Sequence, residues 1–289
     1  WFNEGFATFL SRKYRENKFG YDEGEYDRFG EMRSYFYANK KWARPTVHDH
    51  YYVPMDLFDG HVYAKGSLIL NMIQDHLGDD AFIRAVQHYT KVNQHKNVET
   101  QDLKKAIEET TGQNLDWFFK QWVYKPGYPK YDVKWSYNQR NRTVQMVIKQ
   151  SQDLTKTSLF KMPIQVRIDD ALHTIWVDKK EVVHELPTDM RPELVIFNAG
   201  MRVPCELTFN KPISEWILQL EKGPHVLDRV AAINALKKKK GRKRVENALL
   251  KAAGSDPFWG VRKEAVQALG SLKPKKYAKE LMELSEGQD

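Results

Sequence analysis

Pro126-Gly127-Tyr128-Pro129 separates two hydrophobic periods. Upstream, apolar residues recur at three- and four-residue spacing. Leu68, Ile69, Met72, Ile73 and Leu77 form one stripe, and Gly78 follows where a C-cap glycine belongs. Asp79 is placed to cap the next helix, which buries Phe82, Ala85, Val86 and Tyr89. A third helix begins near Thr100 and stops at Gly112. A fourth carries Leu115, Phe118, Phe119 and Trp122, and these aromatics read as core. Downstream the period becomes two: Tyr131, Val133, Trp135 and Tyr137 alternate, as do Val144, Met146 and Ile148, then Ile164, Val166 and Ile168. Further β-rich runs at 174–177, 194–197 and 203–209, with no helix between them, predict a small antiparallel β-sandwich.

Past Pro212 the helical period returns with a repeat. Arg229–Leu236 lines up with Arg262–Leu269 at an offset of 33 residues, close to the helix-pair period of HEAT-like solenoids. The expected architecture is multidomain α+β, with a helical unit over 1–126, a sandwich over 127–210 and a HEAT-like helical unit over 211–289.

The 289 residues suffice for several cores, and 41% hydrophobic with 29% charged is globular composition. No apolar run is long enough to span a membrane. The one cysteine, Cys205, excludes an internal disulfide and reads as a buried structural thiol. Of the net charge of +8, residues 211–289 contribute most, with 17 Lys+Arg against 10 Asp+Glu. The run Lys237–Lys240 reads as a solvated inter-helix loop, because it lacks the stacking aromatics of a nucleic-acid surface. Among the nine histidines no pair has the spacing of a zincin helix, and His48-Asp49-His50 reads as a loop.

Two blocks carry the chemistry: Trp1-Phe2-Asn3-Glu4-Gly5-Phe6-Ala7-Thr8-Phe9, and Tyr63-Ala64-Lys65-Gly66 heading an apolar helix. Together they resemble part of the active site of the aminopeptidase N-like zinc metallopeptidases, the M1 clan of gluzincins. The resemblance implies a thermolysin-like helical catalytic lobe, of which 1–126 is the C-terminal part, one Zn2+ per full-length chain, and peptide substrates with a free N-terminus. It makes Glu4 the third zinc ligand. The family's H-E-x-x-H and its amine-binding G-x-M-E-N would both fall before residue 1, so this chain alone is expected to be inactive.

A carboxylate suits that ligand position, because two neutral histidines and one carboxylate leave zinc net positive with an open site for water. The resemblance gives Tyr63 the catalytic role of donating a hydrogen bond to the oxyanion. Lys65 reads as structural. The helical unit at the C-terminus is expected to cap the peptide cleft, with Arg229 and Arg262 facing inward as a basic wall. The competing function is a non-catalytic scaffold or protein-interaction module on the same fold, which has no need of Glu4 and Tyr63 in those two places.

Overall fold

The computed structural model describes residues 1–239, 241–272 and 277. Helix α1 (Phe2–Phe19) turns into α2 (Tyr21–Lys41) through a single residue, Gly20. Its φ of 108° lies where a side chain is strained, which is why glycine makes this hinge. An extended stretch and a 3-10 turn (Pro54–Leu57) lead to a π-helical turn, His61–Lys65. That turn runs without a break into α3 (Gly66–Leu77), so the helix predicted from Tyr63 opens with a wider coil than the period implied. Helix α4 (Asp79–Val92) is capped by Gly78 rather than Asp79; the Asp79 carboxylate instead accepts from the Gln74 amide at 2.8 Å. Helices α5 (Thr100–Thr111) and α6 (Asp116–Trp122) follow, with the left-handed Gly112 closing α5 as its position predicts. Phe118, Phe119 and Trp122 are buried core residues.

Seven strands occupy 130–210. One sheet has the order β5–β2–β1–β7: β1 (Lys130–Asn138), β2 (Thr143–Gln150), β5 (Glu181–Pro187) and β7 (Glu206–Asn210). The other has the order β4–β3–β6: β3 (Met162–Ile168), β4 (Ala171–Val177) and β6 (Val195–Phe197). Alternate residues point inward, with Val133 opposite Ile148 and Ile164 opposite Ile175, all buried. All pairs are antiparallel but one. Strand β7 lies parallel to β1, with Lys130 opposite Glu206, because the chain reaches it by crossing from β6 in the other sheet and not by a hairpin.

Helices α7 (Ile213–Lys222) and α8 (Val226–Leu236) form one antiparallel pair, α9 (Lys243–Ser255) and α10 (Trp259–Leu272) the next. The sequence repeat falls on α8 and α10, the second helix of each pair. Ala232, Leu236, Ala265 and Leu269 are buried at equivalent positions. Lys237 to Lys239 lie in the turn after α8, and Lys240 lies outside the described residues.

A connected hydrophobic core runs from the N-terminal helices through the sheets to the C-terminal repeats, from Phe9 through Trp122 and Val133 to Leu269, beside a small separate cluster of Leu194, Ile196 and Ala199. Polar clasps reinforce it. Arg28 on α2 donates to the carbonyls of Gly200 (2.6 Å) and Met201 (2.7 Å), and Tyr26 donates to Glu264 on α10 at 3.0 Å. No described helix is long and apolar enough to cross a membrane.

Candidate functional site

Glu4 sits in the first turn of α1, where a carboxylate complements the helix dipole. Aromatic packing fixes that turn. The Trp1 indole donates to Thr100 Oγ1 at 3.2 Å and stacks on Phe2 with centroids 4.3 Å apart; Phe2 and Phe6 both stack on Tyr89. With this side committed to α4 and α5, Glu4 lines a cleft of about 590 Å³ together with Trp1, His48, Phe58 and Val98.

Tyr63 stands on the π turn, and Asp59 organises that turn. The Asp59 carbonyl accepts the N–H groups of Val62 (3.2 Å) and Tyr63 (3.3 Å). Its carboxylate accepts from the His61 N–H (2.8 Å), the His61 ring Nδ1 (2.9 Å) and the Arg44 guanidinium (2.6 Å). Burial works against the Asp59 charge, yet the His61 hydrogen bonds and the nearby cations hold its pKa below the ordinary value. His61 is buried and its pKa is lowered by desolvation, which keeps the imidazole neutral at pH 7 with Nδ1 donating to Asp59.

The fold brings Glu4 and Tyr63 together across the α1–π-turn contact. Partial desolvation, the Glu4 charge and a hydrogen bond to Glu4 raise the Tyr63 pKa, so its phenol remains a proton donor well above neutral pH. Tyr63 is partly exposed and packs beside Phe58, with centroids 6.3 Å apart. Lys65 is fully buried instead. Its ammonium donates to the Lys125 carbonyl at 3.3 Å and lies 5.2 Å from the Tyr35 ring centroid, and burial pushes its pKa down to about 7.

Sequence reasoning singled out Glu4 and Tyr63 but gave no role to Arg44, Asp59 or His61. The Asp59-x-His61 spacing is a local signal for that hydrogen bond. Arg44 has none, because it reaches Asp59 only through the fold.

Among the described residues no three His, Cys, Asp or Glu side chains are arranged to hold a metal. His48 lines the cleft, while Asp49 and His50 are exposed in an irregular loop. Glu4 therefore stands without a second and third candidate metal donor beside it among the described residues.

Another cavity, of about 370 Å³, lies between strands β6 and β7 and helices α7–α8 and contains neither member of the Glu4–Tyr63 pair. Its Cys205 is partly buried rather than fully so, and desolvation pushes the thiol pKa up to about 12, which disfavours the reactive thiolate at neutral pH.

The expected basic wall is not formed by Arg229 and Arg262. Arg229 makes a two-pronged contact with Asp256 (2.8 and 3.1 Å) and donates to the Gly223 carbonyl at 3.0 Å. Arg262 donates to the carbonyls of Asp256 (2.9 Å) and Pro257 (3.2 Å). Both guanidinium groups tie helices together within the C-terminal repeats.

Residues 1–122 match the peptidase family M1 domain, and residues 213–289 match HEAT repeats. The chain is 28% identical over 208 residues to a probable aminopeptidase 1 of Saccharolobus solfataricus, covering 68% of this chain and 26% of that protein. It is 26% identical over 225 residues to a leucyl aminopeptidase of the same organism, covering 74% of this chain and 28% of that protein. The chain thus spans about a quarter of the length of these curated relatives. The fold is similar to that of Legionella pneumophila aminopeptidase A, solved in complex with aspartic acid. The TM-score is 0.74 at 19% identity, over 98% of this chain and 34% of that one.

Proposed function

The chain belongs to peptidase family M1 through its first 122 residues, and on that premise we propose that it works as part of a longer zinc-dependent aminopeptidase. The observation that carries this reading is the meeting of Tyr63 with Glu4, which lines the cleft, from two elements far apart in sequence. A scaffold has no use for that pairing.

Glu4 is the proposed carboxylate ligand, with the other donors supplied by the family's H-E-x-x-H in the rest of the enzyme. Zinc held there would turn a bound water into a nucleophile near neutral pH. Tyr63 then has one task, donating its phenolic hydrogen bond to the oxyanion formed from the scissile carbonyl. A phenol suits that task, since its ordinary pKa of about 10 keeps the donor protonated at neutral pH while the negative charge develops. Asp59, His61 and Arg44 hold the turn beneath it. The substrates in this reading are peptides with a free N-terminus. The division into 1–126, 127–210 and 211–289 as catalytic lobe part, sandwich and helical repeat unit belongs to the same proposal, and the change of element type at 122–130 and at 210–213 supports it.

The test uses the whole enzyme. Glu4→Ala is expected to lose zinc by elemental analysis. Tyr63→Phe is expected to keep zinc and KM while kcat falls by about 100- to 1000-fold, the usual cost of one oxyanion donor. A Tyr63→Phe enzyme with near-normal turnover removes Tyr63 from the mechanism; a Glu4→Ala enzyme with full zinc removes Glu4 from the metal site.

A further inference from the structure

The segment from Gly60 to Gly66 runs between α1 and α2, and its π turn packs on both. At each end a side chain does not fit. A Cβ on Gly60 would stand 2.9 Å from the Ser34 carbonyl oxygen on α2. On the other side, a Cβ on Gly66 would stand 2.9 Å from the Cα of Gly5 on α1, and one on Gly5 would stand 3.1 Å from the Cα of Gly66. Residues 5 and 66 therefore meet backbone to backbone.

Neither glycine is there for its conformation. Gly66 has helical φ and ψ of −56° and −48°, and Gly5 is not among the residues with positive φ. Glycine inside a helix is unfavourable, so space is the reason for both. Gly5 follows Glu4 directly, and Gly66 lies about one helical turn past Tyr63. The contact thus sits between the two functional side chains and on the backbones that carry them.

We propose that Gly5 and Gly66 are positioning residues whose backbone contact sets the separation of Glu4 and Tyr63. This rests on the reading of that pair given above. An added methyl at residue 66 must open the contact from 2.9 Å to at least 3.4 Å, the ordinary lower range, a displacement of about 0.5 Å. Misplacing a reacting group by about 1 Å costs roughly 100-fold in rate, so half of that predicts about a tenfold loss.

In the whole enzyme, Gly66→Ala is expected to lower kcat about tenfold, with KM within about twofold and zinc retained. Gly5→Ala, whose contact is looser, is expected to lose less, and it carries the same tests if Gly66→Ala fails to fold. Gly30→Ala on α2, with nothing within 4 Å of its Cβ, should leave kcat unchanged. In a Tyr63→Phe background Gly66→Ala should cost less than about twofold, because the group it displaces is already gone. An equal loss in both backgrounds, or full turnover of Gly66→Ala, overturns the proposal. If Tyr63→Phe itself keeps turnover, the reading of Tyr63 has failed, and crystal structures decide the positioning role. A Glu4–Tyr63 Cα separation widened by about 0.5 Å in Gly66→Ala upholds it, and an unchanged separation overturns it.

Discussion

Replacing Arg28 with Met tests what joins α2 to the turn at Ala199–Met201. Arg28 is fully buried and holds Glu25 with 2.6 and 3.3 Å contacts while donating to the Gly200 and Met201 carbonyls. Methionine fills much of the same space but leaves the Glu25 charge and two carbonyls without their main donor. Breaking a buried ion pair by removing one member costs about 3–5 kcal/mol. The Glu25 pKa supplies a second measure. Burial works to raise it, yet Arg28, with help from Arg202 and Arg12, holds it at about 2 against an ordinary 4.5. That depression corresponds to about 3 kcal/mol. At roughly 2–4 °C per kcal/mol, a loss of about 3–5 kcal/mol predicts a fall in Tm of about 6–20 °C at pH 7.

The sign of the pH dependence follows from the same group. A carboxylate with a depressed folded pKa stabilises the fold above its unfolded value and loses that contribution as pH falls, here between 4.5 and about 2. Glu31 and Asp75 in the same cluster are raised by burial, so they oppose folding at neutral pH and cease to do so as they protonate. Arg28 offsets part of their penalty too, so its removal acts in the same direction at all three. Urea unfolding of wild type and Arg28→Met at pH 7 and pH 3 reads the outcome: the difference should be large at pH 7 and shrink at pH 3. A loss below about 1 kcal/mol at pH 7, or an equal loss at both pH values, refutes the reasoning.

Lys65→Met should change the alkaline profile. The lowered pKa of about 7, set by burial with Arg44 adding, means that the folded state binds fewer protons than the unfolded one between pH 7 and 10.5. Wild type should therefore gain stability across that range, by at most about 5 kcal/mol, relative to Lys65→Met in parallel thermal melts. Arg229→Met should destabilise the chain by about 2–3 kcal/mol in urea by freeing Asp256, while kcat/KM of the whole enzyme for tripeptides at low salt stays within about twofold of wild type. This 289-residue chain on its own should retain no stoichiometric zinc after dialysis, since Glu4 alone cannot replace a three-ligand site; elemental analysis checks it.

What could be read from the sequence was what local chemistry decides. The stripe from Leu68 to Leu77 with Gly78 after it, the stop at Gly112, and the change of period past Pro129 all depend on neighbours a few residues apart. Strand β5 escaped because it is largely exposed: Glu181, His184 and Glu185 interrupt its apolar residues, so the alternation that marks a half-buried strand is weak. The parallel β1–β7 pair is a property of chain path and leaves no periodic mark. The site divides in the same way. Glu4 and Tyr63 stood out because short motifs surround them, whereas Arg44 acquires its role by reaching Asp59 across a loop, and Gly5 and Gly66 acquire theirs only where two backbones meet.

The misassigned arginines show why a charge count differs from a charge map. Residues 211–289 do carry most of the net positive charge, but Arg229 and Arg262 occupy equivalent positions of a repeat, and both donate to groups at the Asp256–Pro257 corner between α9 and α10. A cation that recurs at one position of a helical repeat meets the same local geometry each time it appears. The repeat's own carboxylates and carbonyl ends then satisfy it before any ligand does. Arg229 is held at 11% side-chain exposure beside an Asp256 at 6%, so its field is largely neutralised at its source. The 33-residue offset carries what the net charge lacks: equivalent positions of a repeat face equivalent joints of the stack, and there both arginines find their partners.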